Sequence, residues 1–221
     1  MNLVEIDVEE IRRRLQPTQD RFGHRASDPK LLGEPGAPHV QVRGDHNLNP
    51  DLRPKPPLTP AAVLVPLVVR PDGITVLLTK RTAHLAAHAG QISFPGGRVE
   101  DSDIDAMAGA LRETEEEIGL TRERIEIIGR LDTYIVRTGF EITPLVGLVM
   151  PPFTITRDEF EVAEVFEVPL AFVLDPKNHQ RQSRVDFGGA KREFWAMPHG
   201  DYFIWGATAG MLVNLYEVLR G

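Results

Sequence analysis

The chain contains no cysteine among its 221 residues. A disulfide framework and a thiolate metal site are both excluded, and any metal it binds must be held by oxygen or imidazole ligands. Long apolar runs are missing too: nothing approaches the ~20 residues of a membrane-spanning helix. The opening MNLVEIDVEEIRRRLQ has no apolar leader segment. A cytoplasmic protein that does not enter membranes is the resulting expectation. Positive charge is also scarce. With 25 Lys and Arg against 32 Asp and Glu, the formal net charge is -7. Such a surface repels nucleic acid and anionic membrane as a whole, although a local basic pocket for a phosphorylated small molecule is compatible with it.

Apolar residues make up 42% of the chain and charged residues 26%, proportions that exclude a largely disordered protein. The length suits one domain with extensions. Leu3, Ile6, Val8, Ile11 and Leu15 recur at mostly helical spacing and predict a short N-terminal helix. From Pro17 to Pro60 the chain is rich in Pro, Gly, Asp, His and Asn, which reads as an irregular arm over the domain surface. The expected division is residues 1–60 as helix and arm, and residues 61–221 as the domain.

Within that domain, AAVLVPLVV and ITVLLTKR flank Arg70-Pro71-Asp72-Gly73 as a hairpin, with Pro66 predicting an edge or a bulge. A short strand, QISF, runs into Pro95-Gly96-Gly97, and a loop with Glu100, Asp101, Ser102 and Asp103 leads to a helix over 104–118. IEIIGRLDTYIV and ITPLVGLVM read as strands, and EVFEVPL as a strand with a short helix through AFVLD. REFWAM and DYFIW form a second hairpin, in which Trp195, Phe203 and Trp205 read as core or hairpin packing. GATAGMLVNLYEVLR closes the chain as a helix. The class is α/β, a mixed sheet with helices packed on it.

The helix over 104–118 carries the chemistry. At ~3.6 residues per turn, Ile104, Met107, Ala108, Leu111 and Ile118 fall on one side, while Glu113, Glu116 and Glu117 gather nearly opposite. Ser102 with Asp105 suits the cap at its start, and Gly119 the residue past its end. Three carboxylates on one face repel, and a hard cation such as magnesium or manganese would compensate them. Around a pyrophosphate, carboxylates can hold the cation and accept the proton of an attacking water. Gly96 and Gly97 allow backbone to approach a metal or phosphate closely. The bland alternative is that ETEEE is solvated helix surface.

Context weighs against that alternative. FPGGRVEDSDIDAMAGALRETEEEIGL resembles the signature of the Nudix hydrolases, in which Gly, five residues, Glu and seven residues precede Arg-Glu-aliphatic-x-Glu-Glu-x-Gly-aliphatic. The run from Arg112 to Leu120 matches the second half closely. Gly97 lies one residue farther from Arg112 than the usual spacing, Asp103 stands where the first Glu is expected, and Thr114 replaces an aliphatic residue. The resemblance implies the Nudix α/β/α sandwich, with a mixed sheet flanked by helices. It also implies Mg2+ or Mn2+ held by Gly97, Glu113, Glu116 and Glu117, the three glutamates being the catalytic residues. Arg112 would hold a carboxylate or a loop in place.

Upstream, LLTKRTAHLAAHAGQISFPGG is similar to a pattern in the branch that hydrolyses coenzyme A and its thioesters. Leu77, Leu78, Thr79, Arg81, Gly90, Phe94, Pro95, Gly96 and Gly97 match in register, while Thr82 replaces Ser or Ala and Ala86 replaces a second Arg. By this resemblance the reaction yields 3′,5′-adenosine diphosphate and 4′-phosphopantetheine, and Arg81, His88, Gly90, Phe94 and Gly96 are the substrate-binding candidates. Arg81 reads as a phosphate contact or a surface ion pair, and His88 as a phosphate or adenine contact or an ordinary loop histidine. Glu161 or Glu164 would supply the further carboxylate that many family members bring from a later loop; otherwise they form a solvated strand end. The partner is then a small nucleotide-derived molecule, with no nucleic acid and no membrane, and a homodimer is compatible with all of this. Two alternatives stay open: a hydrolase of another nucleoside diphosphate derivative, such as ADP-ribose, NADH or a nucleotide sugar, and a catalytically silent Nudix regulator that binds a nucleotide.

Overall fold

The structure, a computed structural model, describes residues 6–19, 42–83, 90–186 and 188–221. Its centre is β2 (Thr59–Arg70), which runs parallel to β8 (Phe140–Val149) from Thr59 opposite Phe140 to Val68 opposite Val149. From Ala61 to Val68 every residue of β2 is buried, which accounts for its unbroken apolar sequence: a strand covered on both faces has no polar side to alternate with. Even-numbered Ala62 and Val68 belong to apolar clusters with Ala110 and Ile118 of α2 (Ala106–Ile118). Odd-numbered Val63, Val65 and Leu67 join the main core with Ile11 and Leu15 of α1 (Val8–Gln19) and Leu212 and Leu215 of α4 (Ala207–Arg220). Helices therefore cover both faces of the sheet, the α/β/α arrangement expected.

The sheet is mixed and nine-stranded. Its path runs from β1 (Val42–Gly44) through β7 (Thr133–Ile135), β8, β2 and β3 (Gly73–Arg81) to β4 (Ile92–Ser93). β5 (Gly96–Arg98) also pairs with β2, β6 (Ile125–Arg130) with β8, and β9 (Val162–Pro169) with β3. The short α3 (Leu170–Val173) follows β9, as the sequence predicts. A separate antiparallel sheet joins β10 (Gln180–Val185), β11 (Lys191–His199) and β12 (Tyr202–Trp205). Among the described residues no helix is long and apolar enough to cross a membrane.

Several local expectations change. Pro66 lies neither on an edge nor in a bulge. Leu64 donates its N–H to Pro95 O at 2.9 Å, so by strand alternation position 66 faces the same flank. There β2 changes partner, from β5 at Val63 to β3 at Leu67, and no ladder bond is required of the missing N–H. The arm is not wholly irregular, because β1 pairs in parallel with β7. Three residues carry no readable period, and the pairing depends instead on Gly44, where a Cβ would meet Ile135 O at 2.1 Å. Helix α1 starts at Val8, leaving Leu3 outside the described residues. It packs on β6 and α4, and Arg12 pairs with Glu126 while Arg14 donates to the Leu219 carbonyl. β10, QRQSRV, is mostly exposed and is a strand through its pairing with β11 rather than through apolar alternation.

One close approach gives a test of the core. A Cβ on Gly210 of α4 would lie 2.7 Å from the ring of Tyr134. That ring cannot swing aside freely, since its hydroxyl donates to Asp45 Oδ1 at 3.1 Å. Gly210→Ala should destabilise the fold by about 1–3 kcal/mol, as overpacking does, and thermal melting measures it.

Candidate metal and pyrophosphate site

Helix α2 begins two residues later than its apolar spacing predicts. Asp105 is its N-cap and its side chain accepts from Ala108 N–H at 2.8 Å, so the cap is Asp105 alone rather than Ser102 with Asp105. Ile104 consequently precedes the helix and is 92% exposed; a helical projection assigns it to the apolar face only if the helix already includes it. Gly119 ends the helix at φ 68, where its N–H reaches Glu115 O at 2.9 Å. The buried stripe is Ala110, Thr114, Glu117 and Ile118. Thr114, which stands at an aliphatic position, donates to Ala110 O at 2.7 Å and so carries no unsatisfied hydroxyl into the core.

The three glutamates therefore do not share one environment. Glu116 is largely exposed, Glu113 is half-buried, and Glu117 is 5% exposed. Burial pushes the Glu117 carboxyl up to about 8, opposed by the Gly96 N–H it accepts at 3.2 Å and by Arg81, whose Nη1 lies 3.7 Å away. Burial also raises Glu113, and its bond from Arg112 opposes the rise. The charge of Glu161 pushes both upward, which puts its carboxylate beside the cluster. Its Oε2 is 3.6 Å from Arg81 Nη2. Glu164 is committed elsewhere, accepting from Tyr202 Oη at 2.5 Å.

Arg112 is the hub beneath this face. It donates through Nε and Nη2 to the two oxygens of Asp103, each at 3.0 Å, and through Nη1 to Glu113 at 3.1 Å and Glu116 at 2.9 Å. It also reaches Arg98 O at 3.2 Å. The substitution of Asp for the first signature Glu thus leaves an arginine partner of the right charge. A shorter acid on a loop longer by one residue reaches the same guanidinium.

The two glycines divide their work. Leu64 N–H to Pro95 O and Val99 N–H to Pro60 O bracket the pair Ala62 and Gly97, so the N–H and carbonyl of Gly97 face β2. Gly96 faces the other way, toward Glu117. Its φ is 140, a value that side chains rarely adopt. The backbone group shown on the acidic side is the Gly96 N–H, and the Gly97 carbonyl, expected as a metal ligand, lies on the β2 side. Gly97 contributes space: a Cβ there would sit 2.7 Å from the carboxyl carbon of Glu113. Gly97→Ala should push that carboxylate aside with little effect on melting temperature, and turnover should fall by about 10²-fold, the scale of an ångström's misplacement. Parallel melting and initial-rate measurements separate the two effects.

The upstream candidates divide as well. Arg81 ends β3 between Glu117 and Glu161 and is partly exposed. Gly90 sits in an exposed turn at φ 68. Phe94 is 2% exposed and packs in the main core; it supports the glycine loop from beneath and has no surface to offer a ligand. His88, with Ala86, lies outside the described residues.

Does this set fit a divalent cation? Among the described residues no three acidic or histidine side chains are gathered to hold an ion as they stand, because Glu113 and Glu116 are drawn onto Arg112. The chemistry fits nonetheless. The donors are oxygen only, a buried carboxylate stands among other acids, and glycine keeps the space over Glu113 clear.

The sequence pattern of the NUDIX domain matches residues 58–186. The chain belongs to the Nudix family. It is 43% identical over 155 residues to the uncharacterised Nudix hydrolase NudL of Escherichia coli strain K12, covering 70% of this chain and 80% of that protein. The NudL of Cronobacter sakazakii matches with the same identity and coverage. Among solved structures, a MutT/nudix family protein from Enterococcus faecalis aligns with a TM-score of 0.48 at 16% identity, over 76% of this chain and 64% of that one. As a Nudix hydrolase the chain is an enzyme of phosphorus-containing anhydrides, in a family that works on small nucleotide-derived substrates and generally uses divalent metal ions.

Proposed function

We propose that this Nudix hydrolase cleaves the pyrophosphate of coenzyme A or an acyl-coenzyme A, giving 3′,5′-adenosine diphosphate and the corresponding 4′-phosphopantetheine. The observation that carries the reading is the position of Arg81, from the coenzyme A-like segment, against Glu117 of the signature helix at 3.7 Å. The two motifs thus meet at one place, a cation for phosphate beside carboxylates for metal. Glu113, Glu116, Glu117 and a backbone carbonyl of the Gly96-Gly97 loop would hold Mg2+ or Mn2+. Bound there, the ion would neutralise phosphate oxygens and acidify a water. Arg81 has donors enough to hold a nonbridging oxygen while keeping its charge. Glu161, facing the cluster, is positioned to accept a proton, and Glu164 is not, being held by Tyr202. A cytoplasmic setting and a homodimer accord with this reading.

A second reading keeps the chemistry and changes the substrate: Ala86 removes a cation that the coenzyme A pattern supplies, which favours ADP-ribose, NADH or a nucleotide sugar. Purified protein incubated with coenzyme A, an acyl-coenzyme A, ADP-ribose, NADH and a nucleoside triphosphate, under magnesium and then manganese, tests both. The expected result is preferential conversion of coenzyme A or its thioester to 3′,5′-adenosine diphosphate. Preference for ADP-ribose or NADH would transfer the assignment to the second reading. No hydrolysis under either metal would leave a nucleotide-binding regulator.

A further inference from the structure

The carboxylate of Glu161 lies 3.6 Å from Arg81 Nη2, and Arg81 Nη1 lies 3.7 Å from Glu117. Both separations exceed a hydrogen bond, so the guanidinium attracts the Glu161 carboxylate without fixing its direction. The backbone fixes it instead. Where β9 meets the end of β3 the register slips: Lys80 faces Glu164 and Arg81 faces Val162, passing over Ala163. Bulges of this kind re-aim the chain, and they interrupt the ladder. Thr82, directly after Arg81, bridges the interruption. It is 6% exposed, and it donates its N–H to Glu161 O at 2.9 Å and its hydroxyl to Phe160 O at 2.7 Å. From the other side, Asp158 O accepts from Glu161 N–H at 3.2 Å, and Asp158 N–H donates to the carbonyl of Glu117 at 2.8 Å. The peptides before and after Glu161 are thus both anchored, and Thr82 binds the carbonyl of each.

We propose that Thr82 is a positioning residue for hydrolysis, its hydroxyl holding the turn so that the Glu161 carboxylate stays beside Arg81 and Glu117. This rests on the hydrolase reading above, in which Glu161 accepts a proton. A base must come within about 2.6–3.2 Å of the group it deprotonates, and an ångström of misplacement costs about 10²-fold in rate. The peptide joining Phe160 to Glu161 is held at its N–H by a bond of 3.2 Å and at its carbonyl by the hydroxyl at 2.7 Å, so the hydroxyl is the firmer of these two restraints. Without it that peptide plane can tilt, and the Cα–Cβ direction of Glu161 tilts with it. The side chain of Thr82 acts through Glu161. A hydroxyl that served the turn alone would matter equally whether position 161 carried an acid or an amide.

A double-mutant cycle separates the two roles. Thr82→Val keeps the branched shape and removes the donor, and Thr82→Ser keeps the donor. Each is made alone and together with Glu161→Gln in the full chain. Melting is followed in parallel, and kcat and KM are measured with the panel compound that the parent converts fastest. Thr82→Val is expected to lower kcat about 10-fold, part of the loss an ångström's misplacement brings, with KM changed by less than about 2-fold. Thr82→Ser should stay within about 2-fold of the parent, and in the Glu161→Gln background Thr82→Val should cost less than about 2-fold, since the group it positions is gone. Equal losses in both backgrounds would show a purely structural hydroxyl and overturn the proposal. A raised KM at unchanged kcat would assign the hydroxyl to substrate binding, and unchanged kinetics would show it idle; each likewise overturns it. So does a Glu161→Gln variant with the parent's kcat. If Thr82→Val does not fold, Thr82→Ala takes its place in the same cycle and is read in the same way. A parent that hydrolyses nothing in the panel ends the hydrolase reading and the proposal with it, whereas hydrolysis with equal losses in both backgrounds ends the proposal alone.

Discussion

Glu117→Gln should lower turnover by about 10²- to 10⁴-fold, the range for losing a positioned acid or base, while leaving the protein folded and, without metal, more stable than the parent. Both halves follow from one environment. The carboxylate is 5% exposed, and burial pushes it up to about 8 from an ordinary 4.5. A carboxyl group with a raised folded-state pKa favours the protonated form in the native state. It therefore destabilises the fold progressively as pH rises from about 4.5 to about 8. Glutamine keeps the shape and can still accept from Gly96 N–H, but carries no charge to desolvate. At pH 7 in chelator the variant should gain about 1–3 kcal/mol, and the parent's decline over that pH window should disappear from its melting curves. Added Mg2+ or Mn2+ should stabilise the parent more than the variant, by mass action on the folded state. Near-normal turnover in the folded variant, with either metal present, would sink the assignment of Glu117 to the metal site.

The sequence makes the acidic helix face legible because 3.6-residue spacing is a property of the backbone alone. It leaves illegible which of the three carboxylates is buried. Glu113, Glu116 and Glu117 look alike on a wheel, yet Glu117 shares its stripe with Ala110 and Ile118 and faces the glycine loop. That burial arises from β2 and β5 beneath the helix, contacts remote in sequence. Ile104 fails for the converse reason: periodicity assigned it a face, and the cap at Asp105 released it from the helix. That the Gly97 N–H and carbonyl face β2 follows from the ladder register, which a glycine pair does not encode. Glu161 could be told from Glu164 only through their partners, Arg81 and Tyr202, from separate segments of the chain. Strands with dense apolar character, β2, β3 and β8, were readable; β1 and β10 were not, being short or polar and held by their pairing.

Arg112→Ala is the second change with a large expected effect, and its signature is the opposite of the first. The Asp103 side chain is 5% exposed, and the bonds from Arg112 hold its carboxyl below the usual carboxylate range. Removing the guanidinium leaves that acid buried with a hydrogen bond from the Glu100 N–H at 2.8 Å, and releases Glu113 and Glu116 to repel each other. Breaking a fully buried pair costs about 3–5 kcal/mol; Arg112 is 23% exposed, so about 2–4 kcal/mol is expected, and a melting temperature lower by roughly 4–15 °C. Lysine keeps a charge but not the fork that spans Asp103 and the glutamates, and should recover only part of the loss. The pH dependence identifies the cause. Because the folded-state pKa of Asp103 is depressed, its contribution is present above the ordinary carboxylate value and is lost as pH falls through the folded one. The difference between parent and variant should therefore be full near neutrality and narrow below about pH 4, as Asp103 takes up a proton. A constant difference from neutral to acid pH would mean that Arg112 acts through packing of its stem, and that the charges it joins contribute little to holding the loop against the helix.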